Sequence, residues 1–589
     1  MMDWALKNPK RLLYERAQVE ALQKEGWIKG VVWRLTQDLT LEVDVDMEVY
    51  GTEYAVTLTY TDLFPETAAY IRPRDRSQRW SGHQYGPGGT LCLEWREDNW
   101  HSGVTGADLL RSAYNLLSTE RHPEEPGEVP SAHRLTEGQK LRSSENSRLV
   151  LTSQGLSALR AVPPPESVRL QTAVLFHTGP TVTFVTHVER GGVLIAMSDL
   201  PTGLTSDAPL FALTGHGHAI RHESFDRADV ITSAGELENT LRRAGFPEDL
   251  VTACKSAPSE YLHHVVLLMG VQAISAYGVR SGEQPVLHEY GLVMPRSTTV
   301  RLPVEQAKLV PLRIGIVGLG SLGSKIAVSL ARSGLRRFLL VDDDVLQPDN
   351  ICRHELSWTS VGLHKVQGLQ EKLSFIASDI EVEIHMHRVG GQESAMWASR
   401  VLKELASCDV LIDTTADPAV FLRVAAVARA KRQPLCWGEV FAGGFGGLIA
   451  RARPSKDPHP ASVRSAILNY CEKLPSAPFR EADGYDRNGE QPVVAYDGDV
   501  GQIASALTRL VLDTALQREP SDFPYAAYLI GMRKEWIFEQ PFDTRPIDVV
   551  GEGWDAEDGD TGSEMDRAEA ARVLLAMVHA VNAEPDSST

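Results

Sequence analysis

Gly318, Gly320 and Gly323 form G-x-G-x-x-G in the run LRIGIVGLGSLGSKIAVSLARSG, between an apolar strand pattern and a helical one. In that context backbone N–H groups at a helix N-terminus can hold phosphate. Asp342, at the end of the next apolar run, is the acidic residue that would take ribose hydroxyls. The glycines and aspartate alone favour an NAD-dependent oxidoreductase and leave ATP open. A second chemistry comes from Cys92 in GTLCLEWREDNW, because a thiol can accept an acyl group as a thioester and keep it reactive toward an amine.

The continuation after the second strand, VDDDVLQPDNICRH, resembles the ThiF/MoeB and ubiquitin-activating family, with Asp342, Asp344, Asn350 and Arg353 at matching spacing. Lys365, in VGLHKVQGLQEKL, stands where that family has its lysine, and Asp417 in IDTTADPAV matches its magnesium-binding aspartate. The family has two residues between its paired acidic positions, whereas Thr414, Thr415 and Ala416 separate Asp413 from Asp417 here. The resemblance implies ATP and Mg²⁺ as cofactors and formation of an acyl-adenylate on a protein carboxylate. Positive charge from Arg353, Lys365 and the metal would stabilise the phosphate oxygens during attack. Taken singly, each residue is an ordinary surface charge or cap; their joint order carries the reading. In the family an arginine near the start of the domain reaches a second subunit's nucleotide, which implies a homodimer; Arg296 or Arg301 are the candidates.

GTLCLEWREDNWHSGVT resembles the active-site region of ubiquitin-conjugating enzymes, with Gly89 three residues before Cys92, Trp100 eight after it and Thr105 opening the next helix. Upstream, YAVTLTYTDLFPETAAYIRP is similar to that family's strand and proline-rich turn. The family's His-Pro-Asn is replaced by Gly82-His83-Gln84, and the Gln84 amide would donate to an oxyanion.

Ubiquitin-activating enzymes carry a cysteine of their own after the adenylation core. Cys471 in ILNYCEKLPSAPF is preferred over Cys436, which sits in an apolar run of inner-strand type. Cys352 is expected to pack near the nucleotide. Direct transfer from adenylate to Cys92 stays open and would make Cys471 dispensable.

These residues need several domains to position them. At 589 residues the chain exceeds what one core supports. Residues 1–121 pattern as a helix, an antiparallel meander and a second helix, an α+β ubiquitin-conjugating-like domain. Residues 122–148 are a Pro-, Glu- and Ser-rich linker. Residues 149–300 are an α+β linker domain without a chemical motif, in which TAVLF, TVTFVTHV and GGVLIAM read as strands and YLHHVVLLMGVQAISAY as a helix. Residues 301–547 form a C-terminal α/β Rossmann-like ThiF adenylation domain, and 548–589 are an acidic, partly disordered tail.

Hydrophobic residues at 43% and charged residues at 23% are globular values, without an apolar run of membrane-spanning length or a secretory leader pattern, so a cytoplasmic protein is expected. Six cysteines without a C-x-x-C pair argue against a disulfide framework or structural zinc. A net charge of -19 argues against nucleic acid as the main partner.

The order of parts resembles the fused activating and conjugating proteins of bacterial anti-phage CBASS operons. That resemblance implies a protein partner with a free C-terminus, a cGAS-like nucleotidyltransferase, joined to a target amine. The alternatives are the same chemistry on a separate ubiquitin-like modifier, a catalytically silent protein-binding scaffold, and an oxidoreductase that would leave Asn350, Arg353 and Lys365 unexplained.

Overall fold

The computed structural model describes the chain outside residues 1–2, 79, 82, 86–87, 123–146, 178–180, 206–212, 228–230, 232, 255–262, 281–285, 296–301, 442, 477–494, 552, 555–562 and 583–589. Gly82, Arg296, Arg301, most of the 122–148 linker and residues 552, 555–562 and 583–589 of the tail thus lie outside the described residues. The chain divides into two compact units, Met1–Glu145 and Asn146–Thr589.

In the first unit a helix, Pro9–Ala21, precedes a four-stranded antiparallel meander of β1 (Ile28–Leu35), β2 (Leu41–Val49), β3 (Thr52–Thr59) and β4 (Tyr70–Pro73). Alternation in LEVDVDMEV sends Val43, Val45 and Met47 into the core, where they meet Val56, Leu58 and Ile71, all at 0% exposure. The alternate positions Glu42, Asp44 and Asp46 pair with Arg72, Arg34 and Arg74 across the other face. The helix Gly106–Glu120 closes the core with Leu109, Leu110, Ala113, Leu116 and Leu117. Its start is fixed by a capping box: Thr105 Oγ1 accepts from Asp108 N–H at 3.2 Å, and Asp108 Oδ2 accepts from Thr105 N–H at 2.9 Å. Glu15, fully buried on the first helix, accepts from Arg11 Nε at 2.7 Å, Tyr60 Oη at 2.9 Å and Gly106 N–H at 2.7 Å, and so ties both helices to β3. Two short strands, β5 (Gln84–Tyr85) and β6 (Thr90–Leu91), form a separate ribbon just before Cys92.

The second unit holds two sheets. The first contains β7 (Ser147–Val150), β8 (Glu166–Phe176), β9 (Thr181–Arg190), β10 (Val193–Ala196), β11 (Leu213–Arg221), β12 (His264–Met269), β13 (Ile274–Arg280), β14 (Val286–Glu289) and β15 (Gly291–Val293). Their order is β14-β13-β12-β11-β8-β9-β7-β15, with β10 paired to β9. The expected helix over 261–277 is corrected here: its described residues, from 263 on, carry β12 and the start of β13. All six residues of HVVLLM are buried, Val265 and Leu267 in one apolar cluster and Val266 and Leu268 in another on the opposite face. A continuous apolar run covered on both sides loses the alternation that marks a strand, so its periodicity does not separate it from a buried helix. The turn between the strands is held by Asp226, whose carboxylate accepts N–H groups of Val271, Gln272 and Ala273 at 2.7–2.9 Å.

The second sheet contains β16 (Arg313–Val317), β17 (Arg337–Val341), β18 (Glu381–His385), β19 (Val410–Asp413), β20 (Leu435–Val440), β21 (Gly446–Ala452), β22 (Ala527–Gly531) and β23 (Thr544–Ile547). The order β18-β17-β16-β19-β20 is parallel, and β21, β22 and β23 extend it antiparallel. The strand order reverses beside β16, between β17 and β19, the kind of switch point at which doubly wound sheets take ligands beyond the strands' C-terminal ends. One core face packs the helices Ser321–Arg332 and Asp497–Ala515; the other packs Pro418–Lys431 and Pro460–Glu472. Arg451 of β21 is fully buried, and its two Nη groups are paired, donating to Asp513 at 2.6 Å, Thr514 at 3.1 Å and the Phe523 carbonyl at 2.6 Å, while Nε has no hydrogen-bond partner among the described residues. The short helix Thr202–Thr205 touches the end of the helix Lys365–Ser374 at Gly203, where a Cβ would stand 2.7 Å from the Phe375 ring. The tail contributes the helix Glu564–Asn582. Among the described residues no helix is long and apolar enough to cross a membrane.

Candidate active site

The glycine motif lies at the C-terminal end of β16, each glycine for a different reason. Gly318 adopts φ +85° in the turn. Gly323 packs so closely on that turn that a Cβ would sit 2.0 Å from the Gly318 carbonyl oxygen. Gly320 starts the helix Ser321–Arg332 without a side-chain cap, and nothing lies within 4 Å of the position its Cβ would take. An uncapped helix N-terminus thus faces open space, which fits a phosphate group.

Asp342, at the end of β17, accepts from Leu319 N–H at 2.5 Å through Oδ2 and from Asp344 N–H at 2.9 Å through Oδ1. Burial raises its carboxyl above the ordinary range, while Lys365 and these two amides pull it back. A carboxylate with two amide contacts keeps lone pairs for hydroxyl donors. Lys365, buried at the start of the helix Lys365–Ser374, places Nζ 2.6 Å from Asp344 Oδ2. Arg353 is buried on the same connection, and Asn350 Oδ1 caps the turn by accepting from Gln347 N–H at 3.0 Å. The structure therefore brings Gly318, Gly320, Gly323, Asp342, Asp344 and Lys365 to one end of the sheet, with Asn350 and Arg353 on the loop between Asp344 and Lys365.

Asp413 ends β19 buried, and its Oδ1 accepts from Thr415 N–H at 2.9 Å and Thr415 Oγ1 at 2.7 Å. Burial raises its carboxyl. Asp417 is the N-cap of the helix Pro418–Lys431: Oδ1 accepts from Ala419 N–H at 2.8 Å and Oδ2 lies 3.5 Å from the mostly exposed Arg388. The third residue between the aspartates, Ala416, sits at φ +56°. With one oxygen capping and the other only loosely paired, Asp417 can offer an oxygen to a hard cation, so the donor set fits Mg²⁺.

His354, which sequence reasoning missed, holds this assembly together. Nε2 donates to the Leu319 carbonyl at 2.8 Å, and Nδ1 accepts from Leu356 N–H at 3.1 Å. Burial pushes its pKa down to about 4. Its signal was its position next to Arg353. Thr414 adds a second brace by donating Oγ1 to the Gly318 carbonyl at 2.5 Å.

In the first unit Cys92 is half-buried directly after β6, and its N–H donates to the His83 carbonyl at 2.7 Å. Arg96, four residues on and also missed in the sequence, directs Nη1 to Cys92 Sγ at 2.5 Å. The turn carrying Arg96 is pinned by Asn99, whose Oδ1 accepts from Arg96 N–H at 2.8 Å and whose Nδ2 donates to the Glu94 carbonyl at 2.7 Å. Gln84 spends its whole amide on this loop. Oε1 accepts from the N–H groups of Trp80 and Ser81, and Nε2 donates to the carbonyls of Gly89 at 2.9 Å and Gln78 at 3.4 Å. In this arrangement the Gln84 amide, expected to donate to an oxyanion, is committed to the loop backbone. Trp100 Nε1 donates to the Pro65 carbonyl at 2.7 Å and anchors the far side.

The other thiols differ. Cys436 is fully buried in β20 and pushed up to about 11. Cys352 is exposed, with Sγ 3.3 Å from the Asp349 carbonyl. Cys471 lies in the last turn of the helix Pro460–Glu472, and burial and then Glu439 raise its thiol, which works against its expected role as a nucleophile.

Residues 297–471 match the ThiF family model. The glycine turn, Asp342 and the Lys365–Asp344 pair are therefore parts of a ThiF-type domain. Over 115 residues the chain is 37% identical to the ATP-dependent ubiquitin transferase-like protein Cap2 of Enterobacter hormaechei subsp. hoffmannii, covering 19% of this chain and 18% of that protein. Over 112 residues it is 37% identical to the protein y4qC of Sinorhizobium fredii, covering 18% and 19%. The sulfur carrier protein ThiS adenylyltransferase of Escherichia coli K12 is 31% identical over 151 residues, 25% of this chain and 56% of that protein. The chain thus spans less than a fifth of the length of the first two relatives and just over half of the third.

Proposed function

We propose that this chain activates the C-terminal carboxylate of a protein with ATP and passes the acyl group to Cys92 for conjugation to an amine. The observation that carries the first half is the convergence of the uncapped helix at Gly320, the Asp342 carboxylate and the Lys365–Asp344 pair in a ThiF-type domain. The carboxylate oxygen of the partner attacks the α-phosphorus of ATP and pyrophosphate leaves, giving an acyl-adenylate. The helix N-terminus holds phosphate, Asp342 the ribose, and Arg353 and Lys365 the charge developing on the phosphate oxygens. Mg²⁺, held by Asp417, would neutralise phosphate charge. Asn350 and Asp344 fix the loop and the lysine.

The second half rests on Cys92, in a domain that we read as ubiquitin-conjugating-like from its helix–meander–helix order and the Cys92 loop. Sγ attacks the acyl carbonyl, AMP leaves and a thioester forms; an amine then displaces the sulfur. Arg96 stabilises negative charge at sulfur in both steps, and Gln84 fixes the loop. The raised thiol of Cys471 favours a single thioester on Cys92 over a relay. The relative named as a ubiquitin transferase-like protein supports a protein substrate; a cGAS-like nucleotidyltransferase is the partner we favour and a ubiquitin-like modifier the second choice. A homodimer and a cytoplasmic location complete the reading.

The test is incubation with Mg-ATP and each candidate partner, followed by non-reducing electrophoresis with and without thiol. A thiol-sensitive adduct is expected in the wild type and in Cys471→Ala, and none in Cys92→Ala or Asp417→Ala. No adduct and no ATP binding with either partner class would leave the protein a binding scaffold.

A further inference from the structure

The region between the two candidate catalytic domains carries its own cluster of soft donors. His218 lies on β11, His264 opens β12, and Cys254 ends the helix Glu248–Cys254 that packs over them. β11 and β12 run parallel with His218 opposite Val266, so His264, two residues earlier, faces the same side of the sheet as His218. His218 Nδ1 and His264 Nε2 are 2.9 Å apart, and one ring nitrogen of each histidine and Cys254 Sγ all lie within 4.8 Å of one another. Cys254 is 0% exposed, His264 5% exposed and His218 half-buried. Among the described residues no other group of three His, Cys, Asp or Glu donors converges in this way.

We propose that His218, His264 and Cys254 form a zinc site that clasps the helix Glu248–Cys254 to the β11–β12 pair. Tetrahedral zinc with sulfur and imidazole ligands at the usual bond lengths spaces its donor atoms about 3.3–3.6 Å apart. The 2.9 Å between the histidine nitrogens falls just below that range and the 4.8 Å limit on the whole group above it, so shifts of at most about 1.5 Å close the site. The chemistry of the donors is also suitable. Burial lowers the proton affinity of both histidines, His264 to about 4, which leaves neutral rings with a lone pair for a metal at neutral pH. The Cys254 thiol, pushed up to about 12 by burial, is inert as a free group. On metal binding it gives one proton to solvent and becomes the thiolate ligand. Without metal, one of the two facing nitrogens carries the proton of their 2.9 Å hydrogen bond; on metal binding that ring takes the tautomer protonated on the nitrogen turned away from the metal. His216, exposed on the same face of β11, lowers His264 further. The two remaining strongly buried thiols have ordinary surroundings: Cys408 Sγ donates to the Glu404 carbonyl and Cys436 Sγ to Thr514 Oγ1.

The test uses the untagged full chain, stripped with chelator and reloaded with Zn²⁺ or Co²⁺. The wild type should retain about one equivalent of zinc, and its Co²⁺ form should show a sulfur-to-cobalt charge-transfer band with intense tetrahedral d–d absorption. Cys254→Val, which keeps an apolar side chain of similar size, should lose the band and the zinc-dependent rise in Tm, and His264→Gln should lose bound zinc. His218→Gln, at the half-buried ligand, gives the same reading should the core variants not fold, and Cys352→Ser should leave the band intact. Substoichiometric zinc in the wild type, or a band that survives Cys254→Val, overturns the proposal.

Discussion

The Arg96 guanidinium donates to Cys92 Sγ at 2.5 Å, so a fixed cation stands at the one half-buried thiol of the first unit. A hydrogen bond to a charged group is worth about 1.5–3 kcal/mol. Arg96→Ala should therefore slow acyl transfer to Cys92 by about 10-fold or more, while ATP–pyrophosphate exchange stays at the wild-type rate. A rate-quench assay of thioester formation separates the two; an equal fall in both would place Arg96 in the fold and not in the transfer.

Two glycines of one motif should answer differently to the same substitution. Gly323→Ala puts a methyl group 2.0 Å from the Gly318 carbonyl oxygen, an overpacking that costs about 1–3 kcal/mol, and Tm and ATP binding should fall together. Gly320→Ala meets nothing within 4 Å. Its Tm should match the wild type while ATP affinity, measured by calorimetry, drops because the methyl group occupies the phosphate space.

His354 gives the nucleotide loop an acid-sensitive brace. Its ordinary value of 6.5 is lowered to about 4 in the fold, chiefly by burial. Above pH 6.5 native and unfolded chains both hold it neutral and its contribution is complete. As pH falls from 6.5 toward 4 the unfolded chain takes up a proton that the native chain refuses, so stability drops by at most about 1.4 kcal/mol per pH unit for this group. His288, also lowered to about 4, acts in the same direction. Urea melts at stepped pH should show a shallower decline in His354→Gln than in the wild type.

Glu15 is the polar centre of the first unit, accepting from Arg11, Tyr60 and Gly106 with no exposure to solvent. Glu15→Ala strands those donors and should cost about 3–5 kcal/mol. Glu15→Gln keeps an acceptor and should cost about 1–3 kcal/mol. Chemical denaturation of the two variants gives the comparison.

What the sequence disclosed depended on how many elements a feature spans. The glycine turn, Asp342 and Lys365 could be read because they follow one another along a strand, a turn and a helix. The meander was legible because LEVDVDMEV alternates cleanly. The β12–β13 pair was not, since burial on both faces erased the alternation in HVVLLM. Arg96 and His354 escaped notice because their partners, a thiol and a backbone carbonyl, carry no spacing rule. The His218, His264 and Cys254 group was hidden for a related reason: its donors come from two strands and a helix, and only the parallel pairing of β11 and β12 unites them.

Gln84 bonds four backbone groups, at Trp80, Ser81, Gln78 and Gly89. One planar amide thereby acts as the hub of a ring of main chain, and the reach of its side chain sets the ring's diameter. An asparagine at this place is one methylene short of touching both rims, so the loop ahead of Cys92 is cut to the length of a glutamine.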